Sequence, residues 1–251
     1  MRVYSLINKK GGVGKTTLTE NMAYVLAERY GARVLVIDND DQGNDSQFFG
    51  INDPQTTLAD IIMEKASIKE AIYHTRYNNI DIIPADLDLL SANVQMIKDE
   101  EITNKAFILQ RALKSIDDKY DICIIDNPPH IDISVTNSLV ASNEIIVVTE
   151  PQIYSIRGVE QMVEQIEAIK QLNPNLIFRG AVVNKFSSTP GSFTCMDKLR
   201  TVCKLFSTPI RETKNKLRDS ATKGQTIYEY SPGCGFARDL IRFTDELLGG
   251  E

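Results

Sequence analysis

Lys9-Lys10-Gly11-Gly12-Val13-Gly14-Lys15-Thr16-Thr17 follows the apolar run Val3–Ile7 and leads into a helical pattern over Thr16–Tyr30. Strand, glycine loop and helix in that order suit a loop that wraps phosphate groups. Gly11, Gly12 and Gly14 let the backbone turn with its N–H groups inward, where they can bond phosphate oxygens. A helix beginning near Lys15 adds its positive end. Lys15 is placed to reach β- and γ-phosphates, and the Thr16 hydroxyl to bind Mg²⁺. The common pattern G-x-x-x-x-G-K-[ST] has glycine at its first position; here that residue is Lys9, with a second lysine, Lys10, before the glycines.

Working outward, the chain alternates strands and helices. Strands are predicted at Val3–Asn8, Arg33–Asp38, Ile80–Pro84, Ile122–Asp126, Glu144–Thr149 and Leu176–Asn184. Most are continuous apolar runs, as parallel strands covered on both faces require. Helical patterns lie at Ser91–Ile97, Asn104–Ile116, Ile133–Ala141, Ile156–Leu172 and Phe193–Phe206. The expected fold is α/β: a doubly wound, mostly parallel sheet with helices on both faces, one P-loop domain over residues 1–251. Asn52–Thr57 reads as a loop within it.

Composition agrees. The 251 residues are 42% hydrophobic and 25% charged, ordinary for a globular chain. No apolar run approaches the roughly 20 residues of a membrane span, and the opening strand predicts no signal peptide. Cys123, Cys195, Cys203 and Cys234 form no CxxC pair or metal-ligand spacing, and read as reduced thiols.

Two acidic strand ends complete a nucleotide site. Strand Arg33–Asp38 runs into Asp38-Asn39-Asp40-Asp41-Gln42-Gly43-Asn44, and the buried run Tyr120–Ile125 closes on Asp126 before Asn127-Pro128-Pro129. Ligands of open α/β sheets bind at such C-terminal strand edges. Asp126 is the Mg²⁺-holding carboxylate of a Walker B pattern. His130 and His74 carry no supporting acids that would make a zinc site.

The phosphate loop resembles the deviant Walker A motif, KGGxGK[ST], of the ParA/MinD family of ATPases. Asp38, Asp40, Gln42, Gly43 and Asn44 match its DxDxQGN switch I, with Asp41 where the family has Pro, and Asp126-x-Pro128-Pro129 matches its switch II. The resemblance spans the chain and lies closest to ParA. It implies MgATP binding by Lys10 through Thr17, with Gly11, Gly12, Val13, Gly14 and Lys15 on the phosphates and Thr16 with Asp126 on the metal. It implies that Lys10 crosses a nucleotide-sandwich homodimer to the partner's ATP, that Gly11 permits the close approach, and that Asp40 positions the attacking water. Asn184, at the end of an apolar run, corresponds to an asparagine that contacts adenine in relatives.

Charge is unevenly spread. Lys198, Arg200, Lys204, Arg211, Lys214, Lys216, Arg218 and Lys223 against Glu212 and Asp219 make one segment +6, while the rest, with 20 basic and 32 acidic residues, is −12. Such asymmetry marks a polyanion-binding face. In ParA-type relatives a basic C-terminal surface binds nonspecific double-stranded DNA when the dimer holds ATP; Arg211, Lys216 and Arg218 are the candidates here. The resemblance further implies a ParB-like centromere-binding partner that stimulates otherwise weak hydrolysis, and a cytoplasmic, nucleoid-associated protein that segregates a plasmid or chromosome. The rival is a MinD-like positioning ATPase at the membrane. The apolar stripe of Ala237–Leu248 could anchor such a protein, but it is followed by an acidic tail that anionic lipid repels. We therefore expect it to face the core and no membrane partner. An iron–sulfur reductase on the same fold would need bridging loop cysteines, which this pattern lacks.

Overall fold

The computed structural model describes residues 1–98 and 104–249. In chain order the elements are β1 Arg2–Ile7, α1 Lys15–Tyr30, β2 Val34–Asp38, α2 Asn44–Phe48, α3 Leu58–Ile62, β3 Tyr73–His74, β4 Ile80–Ile83, α4 Asp88–Lys98 and α5 Ile108–Lys114. There follow β5 Ile122–Asp126, α6 Ile133–Ala141, β6 Glu144–Thr149, α7 Ile153–Ile169, β7 Ile177–Val183, α8 Pro190–Val202, α9 Lys214–Thr222, α10 Ile227–Tyr230 and α11 Gly235–Leu248.

Among the described residues the strands form one seven-stranded sheet in the order β3-β4-β2-β5-β1-β6-β7. Every pairing is parallel except the short β3–β4 ladder at the edge. The inner strands β2, β5 and β6 are buried throughout, which is why they read as unbroken apolar runs. From β1 the chain crosses to β2 on one side, and later enters β6 on the other. The loop after β1 thus sits where the winding reverses, the place such sheets bind ligands.

Helices cover both faces. On one, α1 and α11 pack through Leu18, Met22, Leu26, Leu240, Phe243 and Leu247. On the other, α3, α4 and α5 cover β2, β4 and β5, and α6, α7 and α8 cover β1, β6 and β7. Leu240, Phe243 and Leu247 of α11 are fully buried, so that stripe is core, as expected. Among the described residues no helix is long and apolar enough to cross a membrane. Gly250 and Glu251, the end of the acidic tail, lie outside the described residues.

The predicted strands stand within one or two residues. The helices differ more. Asn104–Ile116 resolves into a 3-10 turn at Lys105–Phe107 and then α5. Phe193–Phe206 starts earlier, at Pro190, with Thr189 as its cap, and stops at Val202. Beyond it, Phe206 and Ile210 donate backbone N–H groups to Ala181 and Val183, laying 205–211 along the free edge of β7. That course brings residues 211–217 back beside the phosphate loop.

Candidate active site

The loop closes as its glycines allow. Gly14 sits at φ +94°, in the left-handed region, and a Cβ there would lie 2.3 Å from Asn184 Nδ2. Only glycine meets both conditions. Val13 is fully buried and anchors the loop in the core. Its carbonyl accepts from Asn184 Nδ2 at 2.8 Å. Asn8 ties the loop's start to β6 through the Val148 carbonyl (2.6 Å) and accepts from Lys10 N–H (2.9 Å).

Lys15, Thr16, Asp126, Asp38 and Asp40 converge at the C-terminal edge of β2 and β5. Lys15 is 7% exposed, and its Nζ points to the Asn8 carbonyl at 3.4 Å. Burial lowers its pKa, opposed by the charges of Asp126 and Asp40. Thr16 Oγ1 donates to Asp126 Oδ2 at 2.5 Å, and Asp126 Oδ1 is buried without a partner. Burial pushes the Asp126 carboxyl upward, and the Thr16 bond and Lys15 pull it back. A hydroxyl, a hard carboxylate and an unfilled acceptor suit Mg²⁺, which keeps most of its coordination for phosphate and water. Among the described residues no three Asp, Glu, His or Cys side chains converge as a closed metal cage.

Asp38 supports this edge. It accepts from the N–H and hydroxyl of Ser46 (3.0 and 2.7 Å) and from Asp40 N–H (3.2 Å). Its carboxyl is still raised to about 6 by burial. Asp40 receives only Gln42 N–H, at 3.1 Å, on Oδ1.

Lys10 points away from the phosphate cradle. Its Nζ meets Glu150 Oε2 at 2.6 Å and Gln152 Oε1 at 2.7 Å. Glu150 also binds Lys185 (2.7 Å), and Lys185 donates to the Gly12 carbonyl as well. Burial of Glu150 opposes ionisation, but the two ammonium groups prevail and hold its pKa below the usual carboxylate range. Lys185 reaches back because its backbone is left-handed, φ +53°. Gly11 has nothing within 4 Å of where a Cβ would stand.

Several partners were not foreseen from sequence. Asn39 and Asn127, at the starts of the two acidic loops, share a buried bond of 2.9 Å, and Asn127 Nδ2 donates to Leu6 O (3.1 Å). These link neighbouring strand ends 88 residues apart in the chain. Glu20 and Asp45 bring two further buried carboxyls near Asp126. His130 pairs with Asp132 (3.2 Å), the cap of α6.

Two candidate residues have partners within the chain. Asn184 is 4% exposed and already bonded to the loop; it lines one wall of a cavity of about 150 Å³ with Gly14, Thr17, Arg211, Lys214 and Leu217. It therefore braces the loop. Arg211, a candidate DNA contact, clamps Asp239 with its guanidinium through bonds of 2.6 and 2.7 Å and lines that same cavity, its side chain 47% exposed. Lys216 and Arg218 are exposed on α9; the Arg218 side chain is 76% exposed, and Lys216 Nζ donates to Ser231 Oγ at 3.1 Å.

The fold and the site define a P-loop nucleotide-hydrolase architecture. A family model described as an AAA domain matches residues 1–178. The chain is 34% identical over 191 residues to the chromosome partitioning protein ParA of Caulobacter vibrioides, covering 74% of this chain and 70% of that one. It is 29% identical over 238 residues to the sporulation initiation inhibitor protein Soj of Bacillus subtilis, 92% of each chain. Cobyrinic acid a,c-diamide synthase from Mycobacterium smegmatis, solved with an ATP analog and magnesium, superimposes with a TM-score of 0.84 at 27% identity, over 99% of this chain and 94% of that one. The chain belongs to the ParA/MinD family of ATPases and stands close to ParA.

Proposed function

We propose that this chain is a ParA-type partition ATPase: it binds MgATP, closes into a nucleotide-sandwich dimer, binds DNA without sequence preference and releases it on hydrolysis. The observation that carries this is the division of labour between the two loop lysines. Lys15 is buried over the phosphate cradle, whereas Lys10, its side chain 43% exposed, is held outward by Glu150 and Gln152. An outward lysine beside an open Gly11 suits a group that acts on a facing copy. The apolar tip beside it, with Ile153 50% and Tyr154 89% exposed, suits the same face.

In this reading, the loop N–H groups and Lys15 hold the β- and γ-phosphates, and Thr16 and Asp126 hold Mg²⁺. Bound Mg²⁺ neutralises charge that develops on the transferred phosphoryl group. Asp40 orients the attacking water from the mouth of the site. Phosphoryl transfer depends on such positioning more than on a strong base. Asn39 and Asn127 couple the two switch loops, so that movement of one is felt by the other. A ParB-like partner, the nucleoid and a replicon to be segregated belong to the same proposal, supported by the likeness to ParA and Soj. The buried stripe of α11 favours it over the membrane rival.

Two outcomes test it. Gly11→Val leaves the monomer folded and able to bind ATP, because open space surrounds that position, yet blocks the ATP-dependent dimer in light scattering. A dimer of wild-type strength would remove Gly11 from the interface. Lys216→Ala with Arg218→Ala weakens binding to duplex DNA at unchanged ATP affinity. Each lost phosphate contact lowers the slope of log K against log salt by roughly 0.9, so the pair lowers it by about 1.8. An unchanged slope would make α9 an ordinary solvated face.

A further inference from the structure

Helix α4 is apolar on two sides. Its inner side, with Leu89, Ala92 and Met96, is buried. A second row consists of Leu87, in the turn before the helix, then Leu90, Val94 and Ile97, and these stand between 46% and 72% exposed. Steps of three, four and three residues keep the four side chains in one narrow stripe, the spacing of a helix–helix seam. The helix that presents the stripe is held in place. Asn93 donates to Asp132 (2.8 Å) and accepts from Ser134 N–H (2.9 Å) at the start of α6. Ala85 N–H, just ahead of α4, donates to Ser46 Oγ (3.1 Å). Ser91 and Gln95, exposed beside the stripe, carry no charge. Globular chains rarely leave a contiguous apolar row of this kind to water without a partner for it.

We propose that this stripe is a contact between two copies of the chain, their α4 helices antiparallel and related by a two-fold axis at Ala92. The spacing reads the same in both directions: Leu87 and Ile97 lie five residues from Ala92, Leu90 and Val94 two. In an antiparallel pair Leu87 meets Ile97 of the second copy, and Leu90 meets its Val94. The ends match in charge as well. Asp86 and Asp88 stand at the start of α4 and Lys98 at its end, so reversing one helix brings each Lys98 to the acidic end of the other. The helix dipoles then oppose favourably, whereas a parallel pair would set acid against acid. A self-matching patch is what a two-fold interface requires. Four aliphatic side chains offer well under the roughly 800 Å² that each partner of a stable complex buries. The contact is therefore weak, with a dissociation constant of about 0.1–1 mM, and takes hold where chains are gathered to millimolar local concentration. The stripe lies outside the phosphate loop and both acidic strand-end loops, so the contact needs no nucleotide and is distinct from the proposed sandwich dimer.

The test is sedimentation equilibrium of the full chain without nucleotide, from micromolar to about 1 mM. Wild type shifts from monomer toward dimer across that range. Leu90→Glu and Val94→Lys, both at exposed positions, keep the wild-type unfolding temperature. Each alone weakens association by about tenfold or more, because a charge then meets an apolar side chain. An equimolar mixture of the two variants recovers association, since the new carboxylate of one faces the new ammonium of the other. Should either variant unfold lower, the outer pair, Leu87→Glu and Ile97→Lys, carries the same comparison. Wild type that stays monomeric at about 1 mM, single variants that associate like wild type, or a mixture no better than either variant alone overturns the proposal. A dimer that forms only with ATP also overturns it, and would give the stripe to the sandwich interface.

Discussion

Lys15→Ala abolishes MgATP binding at micromolar nucleotide. The ammonium is buried, lies over the cradle formed by Asn8 through Gly14, and is the cation that acts on Asp126. Its loss leaves the phosphates without their charge-assisted contact and leaves Asp126 without its counter-charge. Truncating one member of a buried charge pair costs about 3–5 kcal/mol, and each 1.4 kcal/mol is about tenfold in affinity. The expected loss is therefore on the order of 100-fold to several thousand-fold by calorimetry. The folded state should survive, since among the described residues the only hydrogen bond of this side chain is to the Asn8 carbonyl. Near-normal affinity would mean that the nucleotide lies elsewhere.

Asp40→Ala gives the second large effect, and it is selective. Asp40 reaches the site from the loop after β2; its N–H donates to Asp38, its carbonyl accepts from Gly43 N–H, and among the described residues its carboxylate accepts only from Gln42 N–H. It does not hold the loop that cradles phosphate, so ATP affinity and ATP-dependent dimerisation should persist. Misplacing the attacking water costs on the order of 100-fold in rate, so turnover at saturating ATP should fall by about that factor. Unchanged turnover would pass the role to another group at the same edge, and Asp38 would be next to test.

How much was legible in the sequence depended on how local each device is. The phosphate loop, the acidic strand ends and the parallel sheet follow from contiguous residues: an apolar run, its closing acid, the glycines after it. The five-residue helices α2 and α3 are too short to show a helical period, and the two-residue β3 pairs antiparallel at the edge without an apolar run of its own. Helix α9 buries little beyond Leu217 and Ser220, so its basic surface hid its regularity.

Side-chain partners supplied by neighbouring strands were not legible at all. Lys10 and Glu150 are 140 residues apart. They meet because β1 and β6 are adjacent in the sheet. Arg211 belongs to the basic segment, but it pairs with Asp239, 28 residues later on α11. Net charge along a segment says nothing of such pairings. Glu20 and Asp45 come near Asp126 only once α1 and α2 are folded.

The central claim is that ATP switches this chain onto DNA. The direct test measures binding to two unrelated duplexes over a salt series, with ATP, with ADP and with no nucleotide, in the slowly hydrolysing Asp40→Ala background. Two half-sites joined by a dimer bind far more tightly than one, and phosphate contacts alone read no sequence. The account predicts tight binding with ATP only, equal for both duplexes and falling steeply with salt. Binding that is the same in all three nucleotide states, or absent with ATP at low salt, would contradict it.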